Sequence, residues 1–311
     1  MNSSRLVKTL QTFSAVLILF LGPLFSVNAQ TSDELEDSFE ASRPLETQEF
    51  TELTEISDDL YMFRFWVYRT IFLVTDAGVI VADPISPQAA GILMEEIRKI
   101  TDQPIEYVVY SHEHWDHAAG GQIFKDAGAE FIAQENCVDF FRERPNPLVV
   151  MPDITFNDFY ELTLGDKTIE LQYFGRNHGN CLVTMRLPEE RLIFIVDIVT
   201  PKRLPFRGLP DFWPEDWIRT LREIEQLEFD GVIPGHGPDD EPAVAARSSV
   251  REQREFLEDL MSAVKEIYDS GVYDPQVLGD RLELPKYSDW RGYEWLPLNA
   301  ERIRHYYHLG W

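Results

Sequence analysis

The chain has 311 residues, with 54 Asp and Glu against 28 Lys and Arg, for a formal net charge of −26. Hydrophobic residues make up 44% and aromatics 13%, enough for a substantial core and too much for a largely disordered protein. So strong an acidic balance argues against a nucleic-acid or anionic-membrane surface, and two cysteines cannot build a disulfide scaffold or a four-thiolate metal site.

Arg5 and Lys8 precede the apolar run from Phe13 to Leu21, which Gly22 and Pro23 interrupt. Val27 and Ala29 then stand at the two positions that signal peptidase reads. The expectation is a signal peptide over 1–29, cut between Ala29 and Gln30, with an uncleaved anchor as the alternative. The apolar run falls short of the about 20 residues a bilayer span needs. The mature chain would be periplasmic or secreted, without a stable membrane anchor. Residues 30–57 read as an acidic, disordered leader, since 30–59 carries 11 acidic residues against Arg43 alone and little apolar periodicity.

Order is expected to begin near Leu60. Tyr61 to Tyr68 and Thr70 to Thr75 are rich in aromatic and β-branched residues, and Asp76-Ala77-Gly78 forms a turn into a third strand, Val79 to Ala82. A helix follows over Gln88 to Lys99, with Ala89, Ile92, Leu93 and Ile97 at helical spacing, and then the strand Ile105 to Tyr110. Helix, strand and helix succeed one another to Arg142. The second half resumes with strands at 159–164, 168–174, 182–187 and 192–196, a helix over 215–226, a strand at 231–234 and a long helix over 242–270. Hairpins mixed with strand–helix units in both halves predict an α/β (α+β) fold, an αββα sandwich of two mixed sheets with helices outside. One catalytic domain, 58–270, is followed by an aromatic-rich tail, 271–311.

The chemistry concentrates after the strand ending at Tyr110, in Ser111-His112-Glu113-His114-Trp115-Asp116-His117. Imidazole and carboxylate so densely placed suit zinc and related metals. His112 and His114 can reach one ion, while Asp116 and His117 can reach a neighbour. His178 and His236 each follow a strand and sit beside glycine, and Asp197 ends an apolar strand, where a carboxylate needs a partner or a metal.

This order of residues, each preceded by a strand, resembles the metallo-β-lactamase superfamily over about 58–240. The resemblance implies the αββα fold, with His112, His114 and His178 on a first metal, Asp116, His117 and His236 on a second, and Asp197 bridging them. It implies that Asp83 supports the metal loop without binding metal. It further implies two zinc ions, with iron or manganese as alternatives, and a shared hydroxide that attacks a carbonyl or phosphoryl centre, oriented by Asp116. An aspartate at 197 looks more like the glyoxalase II and lactonase-like branches than like the β-lactamases. The expected activity is cleavage of an ester, thioester, lactone or amide of a small, anionic or neutral substrate. A β-lactamase, a mononuclear-iron persulfide dioxygenase and a non-enzymatic periplasmic accessory protein are the alternatives.

Lys202, Arg203 and Arg207 beside Phe206, and Arg176 ahead of His178, either grip a substrate carboxylate or pair with the acidic surface. Cys181 reads as a small buried residue; a bridge to Cys137 is open to it, though nothing in the spacing favours one. The tail either packs on the domain or forms a lid or dimer contact. Oligomeric state is not fixed by the sequence.

Overall fold

The computed structural model describes residues 50–310. The expected signal peptide and most of the leader lie outside the described residues. Its end does not: β1 (Thr51–Glu55) pairs antiparallel with β2 (Leu60–Phe65), so the ordered domain starts ahead of the boundary expected at 58.

Seven strands form the first sheet in chain order. After β2 come β3 (Tyr68–Thr75), β4 (Gly78–Val81), β5 (Ile105–Val109), β6 (Glu130–Gln134) and β7 (Ile154–Phe156), parallel from β4 onward. The second sheet holds β8 (Phe159–Leu164), β9 (Lys167–Tyr173), β10 (Val183–Leu187), β11 (Leu192–Ile195), β12 (Gly231–Pro234) and β13 (Ala245–Ala246), with β11 and β12 parallel. Leu60, Ile71, Leu73, Ile80, Val109 and Ile132 of the first sheet pack with Leu162, Leu171, Val183, Met185, Phe194 and Ile233 of the second as the inter-sheet core. Each sheet's other face carries helices, giving the four layers expected.

Helix α1 (Pro87–Ile100) starts where Ser86 Oγ accepts the Ala89 N–H at 3.2 Å, with proline in its first turn and Arg98 and Lys99 in its last. It buries Ala89, Ala90, Leu93 and Ile97 against the first sheet. Short helices α2 (Trp115–Ala118) and α3 (Gln122–Asp126), then α4 (Glu135–Glu143), lie along that half. On the second sheet, α5 (Pro214–Ile224) and α6 (Ser248–Asp269) supply Trp217, Leu221, Phe256, Leu257 and Leu260 to one continuous core. Helix α6 begins later than the expected 242, because the chain first pairs β13 with β12. After it, α7 (Pro275–Arg281) and α8 (Leu296–Leu309) place Leu278, Ala300 and Ile303 in the same core, and the segment between them adds Tyr287 and Trp290. Among the described residues no helix is long and apolar enough to cross a membrane.

Candidate metal centre

The site forms where loops leave the strands. The loop 111–117 follows β5, His178 lies between β9 and β10, Asp197 follows β11 and His236 follows β12. Ile195 pairs with Pro234 across the parallel strands, so Asp197 and His236 both stand two residues beyond a matched pair and meet. The Val183 N–H donates to Ser111 O at 2.8 Å, which joins the two sheets at this edge.

Asp197 is the centre of the arrangement. Its Oδ2 lies 3.1 Å from His112 Nε2, 3.2 Å from His178 Nε2 and 3.8 Å from His117 Nε2, and its Oδ1 lies 2.8 Å from His236 Nε2. Asp197 holds a left-handed backbone, φ 60°, which costs a non-glycine residue about 1 kcal/mol. Next to it, Trp217 Nε1 donates to Ile198 O at 3.0 Å, so a buried indole fixes the strained turn. Two sets of donor atoms lie within 4.8 Å of one another: His112, His114, His178 and Asp197, and His117, Asp197 and His236. Asp116 is exposed and outside both sets, facing the cleft beside Tyr68.

These residues fit metal ions on their own evidence. His112 Nε2, His117 Nδ1 and His178 Nδ1 are buried without a hydrogen-bond partner among the described residues, a costly arrangement in a dry site. His112 Nε2 is near Asp197 but off hydrogen-bond geometry. The surroundings also set the tautomers. Asp83, fully buried, accepts the Ser111 N–H at 2.7 Å and the Ser111 hydroxyl at 2.6 Å. Ser111 Oγ then accepts from His112 Nδ1 at 2.9 Å, leaving Nε2 with its lone pair toward the centre. His117 Nδ1 faces Asp83 at 3.4 Å, and its Nε2 meets His236 Nε2 at 3.0 Å. Two imidazole nitrogens at that distance need a shared proton or cation.

Burial pushes the His112 imidazolium down to about 3, which keeps the ring neutral as a ligand requires. Burial also disfavours charge on His117, but the Asp83 and Asp197 carboxylates outweigh it and lift the value to about 9. Desolvation raises Asp197, yet His236, His112 and His178 hold it well below the usual carboxylate range. Asp197 stays ionised.

Several positioning residues carry no signal in the sequence. Asp211 Oδ2 lies 3.0 Å from His114 Nε2, which puts the proton on Nε2 and frees Nδ1. The buried Arg69 donates to the carbonyls of Pro238 (2.8 Å), Glu241 (2.8 Å) and Pro242 (3.0 Å), pinning the segment after His236. Cys181 is buried, as expected, and the bridge to Cys137 that the sequence left open is formed. Beside it, the buried Glu113 accepts the Asn180 N–H at 2.7 Å, and Gly179, at φ +62°, leaves that carboxylate room: a Cβ would fall 2.5 Å from Glu113 Oε1.

An open cleft with a volume of about 230 Å³ lies over His114, Asp116, His178, Asp197 and His236. Of the substrate contacts expected, Arg203 and Phe206 line it. Arg203 Nη2 donates to His236 O at 3.0 Å. The other three are corrected: Arg176 pairs with Asp216 at 2.8 Å and stacks on Trp213, Lys202 pairs with Glu252 at 2.9 Å, and Arg207 packs over Phe206 outside the cleft lining. Pairing with the acidic surface explains the first two.

The model of the metallo-beta-lactamase superfamily matches residues 64–236. The 2,4-dinitroanisole O-demethylase subunit alpha of a Nocardioides species is 27% identical over 173 residues, 55% of this chain and 52% of that protein. The linear primary-alkylsulfatase of a Pseudomonas species is 23% identical over 247 residues, 62% of this chain and 45% of that protein. The chain therefore spans about half the length of these two curated relatives. A metallo-beta-lactamase from Pontibacter korlensis superposes with a TM-score of 0.59 at 20% identity, over 67% of this chain and 99% of its own. With the family matched over more than half of its residues on this fold, the chain belongs to the metallo-beta-lactamase superfamily.

Proposed function

We propose that the protein is an exported, zinc-dependent hydrolase that cleaves an ester, thioester, lactone or amide bond of a small molecule. The observation that carries this is the Asp197 carboxylate, within 3.8 Å of four imidazoles, three of which bury a nitrogen without a hydrogen-bond partner among the described residues. His112, His114, His178 and Asp197 would hold one ion, and His117, Asp197 and His236, together with Asp116, the other. Bound there, two zinc ions would supply Lewis acidity and a water acidic enough to react near neutral pH.

The chain's own residues do the rest. Asp116, exposed in the cleft, accepts the proton of the attacking water and returns it to the leaving group. Arg203, fixed by the His236 carbonyl, offers its remaining N–H groups to a carbonyl or carboxylate oxygen of the substrate. Leu204, Phe206, Phe212 and Trp295 exclude water around the scissile bond. The aspartate at position 197 favours the glyoxalase II and lactonase-like branches over the β-lactamases. The relatives named above act on an aryl ether and on alkyl sulfates, so the panel of bonds must extend past carboxylic esters.

The test is a hydrolysis panel on the zinc-loaded protein: lactones, thioesters, carboxylic esters, β-lactams and sulfate esters, with metal analysis of protein purified without added metal. Two zinc per chain and turnover of carboxylic esters, thioesters or lactones, abolished by Asp116→Ala, are expected. One iron per chain, or a rate unchanged in Asp116→Ala, would sink the assignment. Turnover of β-lactams alone would place the protein with the β-lactamases.

A further inference from the structure

The cleft takes one wall from outside the part of the chain that the superfamily model matches. Trp295 stands just before α8, lines the cleft and meets Phe206 edge-on with ring centroids 5.8 Å apart. Gly292, at φ +71°, lets the chain turn under that indole: a Cβ there would lie 2.7 Å from Trp295 Cε3. The same C-terminal segment ties the loop 200–212 along its length. Arg291 N donates to Lys202 O at 3.0 Å and Leu204 N donates to Arg291 O at 2.9 Å. Asn299, fully buried, donates to Pro205 O at 3.0 Å and accepts the Gly208 N–H at 2.8 Å, so it brackets Phe206 on both sides. Arg302 Nη2 donates to Phe212 O at 2.7 Å. Phe212 in turn sits between the His178 ring, 4.0 Å away, and Trp217, 4.2 Å away.

Three aromatic side chains therefore face one side of the metal centre, and two of them hang on the C-terminal segment. Phe206 is 55% exposed on the cleft lining, with Trp295 at its edge and Arg207 over its ring. We propose that residues 291–302 complete the substrate cleft, and that the Phe206–Trp295 corner receives an aryl group of the substrate, setting specificity at the hydrolytic site. Trp295 and Phe206 are the specificity-determining residues, and Asn299 is a positioning residue that sets where Phe206 stands. A planar ring pairs with these faces and edges through complementary quadrupoles, which a saturated ring of the same size lacks. That difference is worth about 2- to 12-fold in affinity.

The inference rests on the hydrolase reading, so its test has an arm that needs no turnover. In the first arm the zinc-loaded protein is given benzyl acetate and cyclohexylmethyl acetate; the saturated ring lacks the π-system and is bulkier, puckered and more apolar, so a preference for the benzyl ester runs against the hydrophobic term. In the second, binding of phenylacetohydroxamate and cyclohexylacetohydroxamate is compared by calorimetry. A wild-type preference for the aryl member, expressed in KM or Kd, that collapses toward unity in Trp295→Leu and in Phe206→Leu is the expected result. Asn299→Ala should erode the same ratio through KM while leaving kcat for the saturated ester nearly as it was. Absence of any ester turnover with an intact aryl preference in binding would overturn the hydrolase reading and leave the corner standing. Equal binding of the two hydroxamates, or a preference that survives both leucine variants, would overturn the corner. Phe206→Leu lies on the surface, so this holds even if Trp295→Leu fails to fold.

Discussion

Removal of Asp211 is the sharpest test of the metal centre, because the residue touches the site through a single contact. Its Oδ2 stands 3.0 Å from His114 Nε2 and helps turn that ring toward His178 and Asp197. Loss of an outer partner to a ligating histidine generally costs 10- to 100-fold in metal affinity, about 1.4–2.8 kcal/mol. The Asp211 side chain is 46% exposed, so water can take over as acceptor, which sets the expectation for Asp211→Ala near the tenfold end. Asp211→Asn keeps an acceptor oxygen and tolerates the left-handed backbone at φ 59°, so it should lose only a few-fold. Alanine at that φ also strains the turn by about 1 kcal/mol, which would appear in the thermal midpoint of the metal-free protein. Competition with a chromophoric chelator, resolved into two binding steps, gives the affinities. One step should weaken in Asp211→Ala while the other holds. If neither step moves, or both weaken together, the contact does not position His114 and the tautomer argument fails.

Three further outcomes follow from the packing. Arg69→Met should destabilise the fold by about 3 kcal/mol, since it removes the hydrogen bonds a buried guanidinium makes to the partly buried carbonyls of Pro238, Glu241 and Pro242; denaturation that is unchanged in urea would refute the role. Reduction of the Cys137–Cys181 bridge, which spans 44 residues, should cost up to about 4 kcal/mol on the chain-entropy account and lower the melting temperature measured with a phosphine reductant. An identical melt with and without reductant would count against it. Burial, aided by Asp259, pushes the Tyr287 phenol up to about 12, so the folded state keeps a proton that the unfolded chain releases near pH 10. Its contribution is whole below pH 10 and drains away as the pH rises toward 12. Tyr287→Phe should flatten the loss of stability between pH 10 and 12, and a slope equal to the parent's would exclude Tyr287 as its source.

How much of this was legible depends on whether neighbours in space were neighbours in sequence. The loop 111–117 puts three imidazoles and two carboxylates within seven residues directly after a strand, and such a cluster announces itself. His178, Asp197 and His236 could be read because each ends a strand whose apolar run is plain. Asp211 could not: it lies 97 residues from His114, in a loop of positive-φ positions whose shape depends on Asn299 and Arg302. The same holds for Arg69, 169 residues from Pro238. β1 was hidden for another reason: its pattern is too polar and acidic to read as a strand, and it forms because β2 offers an unpaired edge.

The loop cations show where composition misleads. With 54 acidic side chains against 28 basic ones, almost any exposed Lys or Arg will find a carboxylate, and a cluster of three says little about substrate. Lys202 and Arg176 found Glu252 and Asp216. Arg203 differs through its backbone, not its charge. The bonds between Arg291 and residues 202 and 204 turn its side chain inward, where Nη2 meets the carbonyl of a residue at the metal centre. A cation fixed by a main-chain oxygen is not neutralised by it, so Arg203 keeps a full charge for whatever enters the cleft. That makes Arg203, unlike Lys202 and Arg176, a group that can polarise a substrate oxygen without first breaking an ion pair.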